Sequence, residues 1–188
     1  MAWTVWITGL PGSGKSTITE ALSEILRREG VKFDVLRMDE LRRIVTPNPT
    51  YSEEEREIVY AALVYTALAL NRNGVNVVID ATGNRRRYRE KARILLSAFM
   101  EVYVKCPIEL CVEREEGRRE RWGAPEAIYD KGFKGVSGTV PGLGVPYEEP
   151  LNPEVTVDSS RLKPSESAQI IYRAMKEKLY RDEDGDSP

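Results

Sequence analysis

Apolar residues fall along the chain in two alternating patterns, short continuous runs and longer stretches at helical spacing, as expected of βα units around a parallel sheet. The runs predict strands over 2–8, 33–38, 75–79, 101–105 and 155–157. The spacing predicts helices over 15–28, 52–71, 86–100, from 107 to about 121, and over 165–179. Ser52, with Glu55 three residues on, fits a capping box, and Gly30 and Gly74 fit helix stops. Between 122 and 150, six glycines and four prolines break any period, the mark of a lid or binding loop.

A chain of 188 residues fits a single domain, expected here over 1–180, with the acidic 181–188 as a disordered tail. No apolar run is long enough to span a membrane, and the N-terminus has no basic leader, so a cytoplasmic protein is expected. The net charge of −2 argues against general binding to nucleic acid or to an anionic membrane. With no histidine, Ser-His-Asp and Cys-His nucleophile systems are excluded, and a catalytic base must be a carboxylate, Lys, Tyr or water. Cys106 and Cys111 read as ordinary buried thiols of a reducing compartment.

Gly9, Leu10, Pro11, Gly12, Ser13, Gly14, Lys15 and Ser16, followed by Thr17, carry the pattern GxxxxGK[ST] between a predicted strand and a predicted helix, where a phosphate-binding loop belongs. Glycines let backbone amides close on phosphate oxygens, and the helix N-terminus adds partial positive charge. Lys15 is placed to reach the β and γ phosphates, and the Ser16 hydroxyl to ligate Mg²⁺. The alternative is a plain glycine turn. The expected fold is α/β, a three-layer P-loop NTPase fold with a mostly parallel central sheet and a lid over about 114–150.

No guanine-reading NKxD motif and no LSGGQ-type signature is present, and the chain is short for a motor, so a small ATP-dependent kinase is the expected class. Phosphoryl transfer needs a carboxylate at the acceptor hydroxyl and cations around the moving group. Asp39 and Asp80, each at the end of a predicted strand beside the loop, are the candidates for that carboxylate and for Mg²⁺ ligands. Cap or turn roles remain open for both. Among the clustered arginines, 85, 86, 87, 89 and 93 read mostly as a solvated helix face. Of Arg114, Arg118, Arg119 and Arg121, one or two are expected to close on the triphosphate, with Arg114 and Arg118 the candidates.

These residues, together with the stretches 101–104, 131–135, 146–150 and 152–154, give a chain that resembles the adenylylsulfate kinase (APS kinase) family over most of 3–175. The resemblance implies transfer of the ATP γ-phosphoryl group to the 3′-hydroxyl of adenylylsulfate, with Mg²⁺. By it, Asp39 matches the second aspartate of a DGDxxR motif, the base and metal-side carboxylate, and Arg42 its arginine. Tyr51 and Arg56 match a segment that holds the substrate, Phe133 the ring across the adenine, Lys131 a neighbouring cation and Arg86 a further substrate contact. The family often forms homodimers. This chain departs at Arg37 and Met38, where the motif has Asp-Gly, at Val59, where it has Asn, and at Gly83, where it has Ser. A kinase for another small metabolite or a nucleic-acid hydroxyl, and a nucleotide-binding regulator without transfer activity, are the remaining readings.

Overall fold

The computed structural model describes residues 1–117, 129 and 140–180. Five strands, β1 (Thr4–Thr8), β2 (Phe33–Arg37), β3 (Asn76–Asp80), β4 (Phe99–Lys105) and β5 (Val155–Asp158), form one sheet in the order β2-β3-β1-β4-β5. Every pairing is parallel. Around it lie α1 (Lys15–Arg28), α2 (Met38–Val45), α3 (Glu53–Arg72), α4 (Arg86–Leu95), α5 (Ile108–Glu116) and α6 (Pro164–Leu179).

The alternation of side chains along the central strand sets three layers. Val5 and Ile7 face a core shared with Ile18, Leu22 and Leu26 of α1 and Ile171 and Met175 of α6. Trp6, between them, faces the opposite core of Tyr60, Leu63 and Val64 of α3 and Tyr88 and Ala92 of α4. A third, smaller cluster joins Cys106, Cys111, Tyr129 and Val140, with Leu10 of the phosphate loop packed on it. Among the described residues no helix is long and apolar enough to cross a membrane.

The structure corrects the sequence at three places. The helix expected over 86–100 stops at Leu95, because Phe99 and Met100 pair with Thr4 and Val5 as the first residues of β4. An unexpected helix, α2, begins at Met38, so Asp39 lies in a helical first turn, where a carboxylate complements the helix dipole, and not at a strand end. The capping box is half formed: Ser52 Oγ accepts from Glu55 N at 3.1 Å, but the Glu55 carboxylate turns to Thr50 N and Oγ1.

Candidate active site

The phosphate loop runs from the end of β1 into α1. Gly12 and Gly14 take φ of +75° and +93°, dihedrals that disfavour a side chain. Lys15 is buried, and its Nζ donates to Gly9 O at 3.0 Å and Leu10 O at 2.8 Å, which holds the ammonium within the loop. Ser16 is half-buried and Thr17 exposed at the start of α1.

A cavity of about 240 Å³ opens beside the loop, lined by Gly14, Thr17, Ile18, Arg114, Leu162 and Pro164, with Ser159 at its back. Arg114 on α5 reaches it because Ser159 fixes the guanidinium: Nη1 donates to Ser159 Oγ at 3.0 Å and Nη2 to Ser159 O at 2.8 Å. A lining that combines a planar cation with Leu162 and Pro164 suits a flat heteroaromatic base. Sequence reasoning named Arg114 and missed Ser159, whose partners lie 45 and 146 residues away. Arg118, Lys131, Phe133 and the tail 181–188 fall outside the described residues.

On the other side of the loop, β2 and β3 end in register, with Arg37 opposite Asp80. The Arg37 guanidinium, buried, donates from Nη1 to Asp80 Oδ2 at 3.0 Å and also pairs with Glu20. Asp80 is thus a salt-bridge carboxylate, with Arg37 as its partner. Among the described residues no group of three or more Asp, Glu, Cys or His is arranged to hold a metal. The donor set fits Mg²⁺ carried by phosphates, with one hydroxyl and one carboxylate from the chain, and not a protein cage.

The expected acceptor residues Asp39, Arg42, Tyr51 and Arg56 come together. Arg42 lies over the Tyr51 ring at 4.8 Å and pairs with Glu55 at 2.5 Å; Arg56 lies 5.9 Å from the same ring and donates from Nε to Tyr51 O at 3.1 Å. Tyr51 holds φ of +56°, a left-handed conformation unusual for an aromatic residue. Burial pushes its phenol up; the Arg42 guanidinium opposes this and the Asp39 carboxylate adds to it, so the ring stays neutral. Although burial opposes ionisation of Glu55, hydrogen bonds from Thr50 and Tyr51 and the charge of Arg42 hold it below the usual carboxylate range. Asn84, also missed by sequence reasoning, is buried beside this pocket, its Oδ1 accepting from Arg56 Nη1 at 3.5 Å and its Nδ2 donating to Pro146 O at 3.3 Å.

Arg86 does not join that group: its Nε donates to Glu149 O at 2.9 Å and its backbone N–H to Glu148 Oε2 at 2.8 Å. The other arginines of this cluster are also ion-paired, with Arg87 and Arg93 on the exposed helix face and Arg89 alone of the five buried. Arg85 pairs with Glu148 and Glu53, Arg87 with Glu53 and Glu57, Arg89 with Glu101 and Arg93 with Glu154. Arg87 thus ties α4 to α3, while Arg85, Arg86, Arg89 and Arg93 fasten the stretch 146–154 across the sheet edge. There Tyr147 stacks near Tyr103, with ring centroids 6.2 Å apart, and its hydroxyl lies 3.0 Å from Thr8 Oγ1 at the loop's entry. Both cysteines are free and buried; burial, with Cys106 close by, pushes the Cys111 thiol up to about 12, leaving it inert.

Known proteins match this arrangement over nearly the whole chain. The family model described as adenylylsulphate kinase matches residues 1–158. A probable adenylyl-sulfate kinase of Pyrococcus abyssi is 38% identical over 178 residues, covering 95% of this chain and 97% of the relative. One of Archaeoglobus fulgidus is 37% identical, covering 86% and 98%. Among solved structures, the Mycobacterium tuberculosis APS kinase CysC in complex with AMPPNP and APS superposes with a TM-score of 0.83 at 27% identity, covering 93% of this chain and 98% of that one. With a phosphate loop, a base-sized cavity and an aromatic-arginine pocket at one sheet edge, and relatives matched almost end to end, the chain belongs to the adenylylsulphate kinase family.

Proposed function

We propose that this chain transfers the γ-phosphoryl group of ATP to the 3′-hydroxyl of adenylylsulfate, giving 3′-phosphoadenylylsulfate and ADP. The observation that carries the reading is that the phosphate loop and the Arg42–Tyr51–Arg56 pocket lie at the same edge of the sheet as Asp39. The loop amides and Lys15 bind the triphosphate, and the cavity beside Arg114 takes the adenine of ATP. The Tyr51 ring stacks on the acceptor purine while Arg42 and Arg56 attract its anionic group. Asp39 accepts the proton of the 3′-hydroxyl as its oxygen bonds to the γ-phosphorus and the bond to the β-phosphate oxygen breaks. Ser16 and Asp39 would hold Mg²⁺, which when bound neutralises charge on the β and γ phosphates. Asp80, paired with Arg37, orients that guanidinium beside the site.

Residues 1–180 are taken as one catalytic unit. Purified protein supplied with ATP, Mg²⁺ and adenylylsulfate is expected to form the 3′-phosphorylated product. No product together with no stimulation of ATP turnover by adenylylsulfate would overturn the acceptor, and a screen of other hydroxyl compounds would then identify the true one. Asp39→Ala is expected to abolish transfer while leaving ATP affinity, measured by calorimetry, within a few fold; an unchanged rate removes Asp39 from the chemistry.

A further inference from the structure

The phosphate loop has a feature that its glycines alone do not provide. Glycine at 12 and at 14 permits left-handed dihedrals, and the same freedom lets the peptide planes before them rotate at small cost. A loop that binds phosphate must nevertheless keep its N–H groups aimed at the anion, since donors that reorient on binding lose part of their advantage. Two side-chain hydroxyls engage these two planes. Tyr129 Oη donates to Pro11 O at 2.8 Å, and Ser159 Oγ donates to Ser13 O at 2.7 Å. In a trans peptide the carbonyl and the following N–H point in opposite directions. Holding Pro11 O toward Tyr129 therefore turns Gly12 N–H away from it, and holding Ser13 O toward Ser159 does the same for Gly14 N–H. The intervening Ser13 amide closes a turn onto Leu10 O at 3.1 Å.

Both hydroxyls are built in firmly. Tyr129 is 1% exposed and belongs to the cluster of Cys106, Cys111 and Val140, while Ser159 is 8% exposed and is itself tied by its backbone N–H to Lys105 O at 3.0 Å. Burial pushes the Tyr129 phenol far up, which keeps its proton on the oxygen as a donor. The two residues come from different parts of the chain, one from the segment before Val140 and one from the end of β5, and approach the loop as separate supports.

We propose that Tyr129 and Ser159 are positioning residues that preset the Gly12 and Gly14 amides for the triphosphate, an inference that rests on the ATP-dependent reading above. Ser159 has a second duty, since the oxygen that donates to Ser13 O also accepts from Arg114. It thereby links the base cavity to the phosphate cradle. Tyr129 is not among the residues that line that cavity, so it isolates the effect on the phosphates.

The test is calorimetric titration of inorganic triphosphate, and separately of adenosine, with Mg²⁺ present. The proteins titrated are the wild type, the single variants Tyr129→Phe, Ser159→Ala and Ser159→Thr, and the double variant that combines Tyr129→Phe with Ser159→Ala. Loss of one such hydrogen bond is expected to weaken triphosphate binding about fivefold and loss of both about 25-fold. Ser159→Thr restores the hydroxyl and is expected to bind within about twofold of wild type, and Tyr129→Phe leaves adenosine binding unchanged. In amide NMR spectra, the downfield shift of Gly12 and Gly14 on adding triphosphate is expected to shrink in the hydroxyl-free variants. If Tyr129→Phe and Ser159→Ala bind triphosphate as the wild type does, the proposal is overturned. It is equally overturned if every variant loses triphosphate and adenosine in parallel, the result of a general structural defect. Should Ser159→Ala not fold, Tyr129→Phe, which removes a single oxygen atom, decides the matter. A wild type that binds no triphosphate defeats the kinase reading itself, a result distinct from intact wild-type binding with unaffected variants.

Discussion

Single residues in this protein carry consequences out of proportion to their size, because several stand where backbone, charge and ligand converge. A Cβ at Gly12 would collide with the Cys111 carbonyl and would have to tolerate φ of +75°. Gly12→Ala is therefore expected to cost about 2–4 kcal/mol locally and to lower ATP affinity more than about tenfold, as read by calorimetry. Arg89 shows the same leverage in charge. It is 2% exposed, with Nε on Glu101 Oε1 at 2.5 Å and Nη2 on Glu148 O at 2.6 Å. Arg89→Met leaves the Glu101 carboxylate buried with a weaker counter-charge from Arg93, and is expected to destabilise the fold by about 3 kcal/mol in urea unfolding. The two residues illustrate why a sequence reads unevenly. Gly12 was legible because its motif is contiguous, whereas Arg89 looked like one of five surface arginines until the fold brought Glu101 and the 148 carbonyl to it.

Elements show the same division between local and distant information. β1, β3 and α1 were legible because both the apolar runs and the glycine stops are written within a dozen residues. α2 was not, since its buried positions are Met38 and Arg42, and Arg42 is held by an ion pair to Glu55 and by the Tyr51 ring, which hydropathy does not register. The end of α4 was misplaced because the apolar stretch 94–100 satisfies helix and strand alike until strand pairing decides it. The stretch 146–154 adds an element without regular structure, anchored by charge. Hydrogen bonding from Arg86 N–H, outweighing burial and aided by Arg85, holds Glu148 below its ordinary value of 4.5. A depressed carboxylate contributes stability that is present above 4.5 and is lost as pH falls through its folded-state value. Glu148→Gln should therefore be less stable than wild type at about pH 7, with a flatter loss of stability below about pH 4.5; parallel acid-unfolding curves would remove Glu148 as an anchor.

At the scale of the whole molecule, ligand binding and folding are coupled by mass action. ATP at about one hundred times its dissociation constant should stabilise the native state by about 2.7 kcal/mol. For a chain of this length that corresponds to a rise in Tm of roughly 5–10 °C, measurable by calorimetric scanning, and Lys15→Ala should remove most of it. The layered arrangement also makes the face of the sheet under α3 and α4 optically visible. Trp6, fully buried, donates from Nε1 to Ala81 O at 3.0 Å and stacks near Tyr60 at 6.1 Å, which in turn stacks on Tyr88 at 4.3 Å; the Tyr60 hydroxyl accepts from Gly83 N–H at 2.9 Å. Three coupled chromophores thus stand directly under the loop that carries Asn84. Near-ultraviolet circular dichroism, which depends on fixed aromatic packing, becomes a built-in gauge of that loop, and a spectral change on adding the acceptor would report its movement with no label attached.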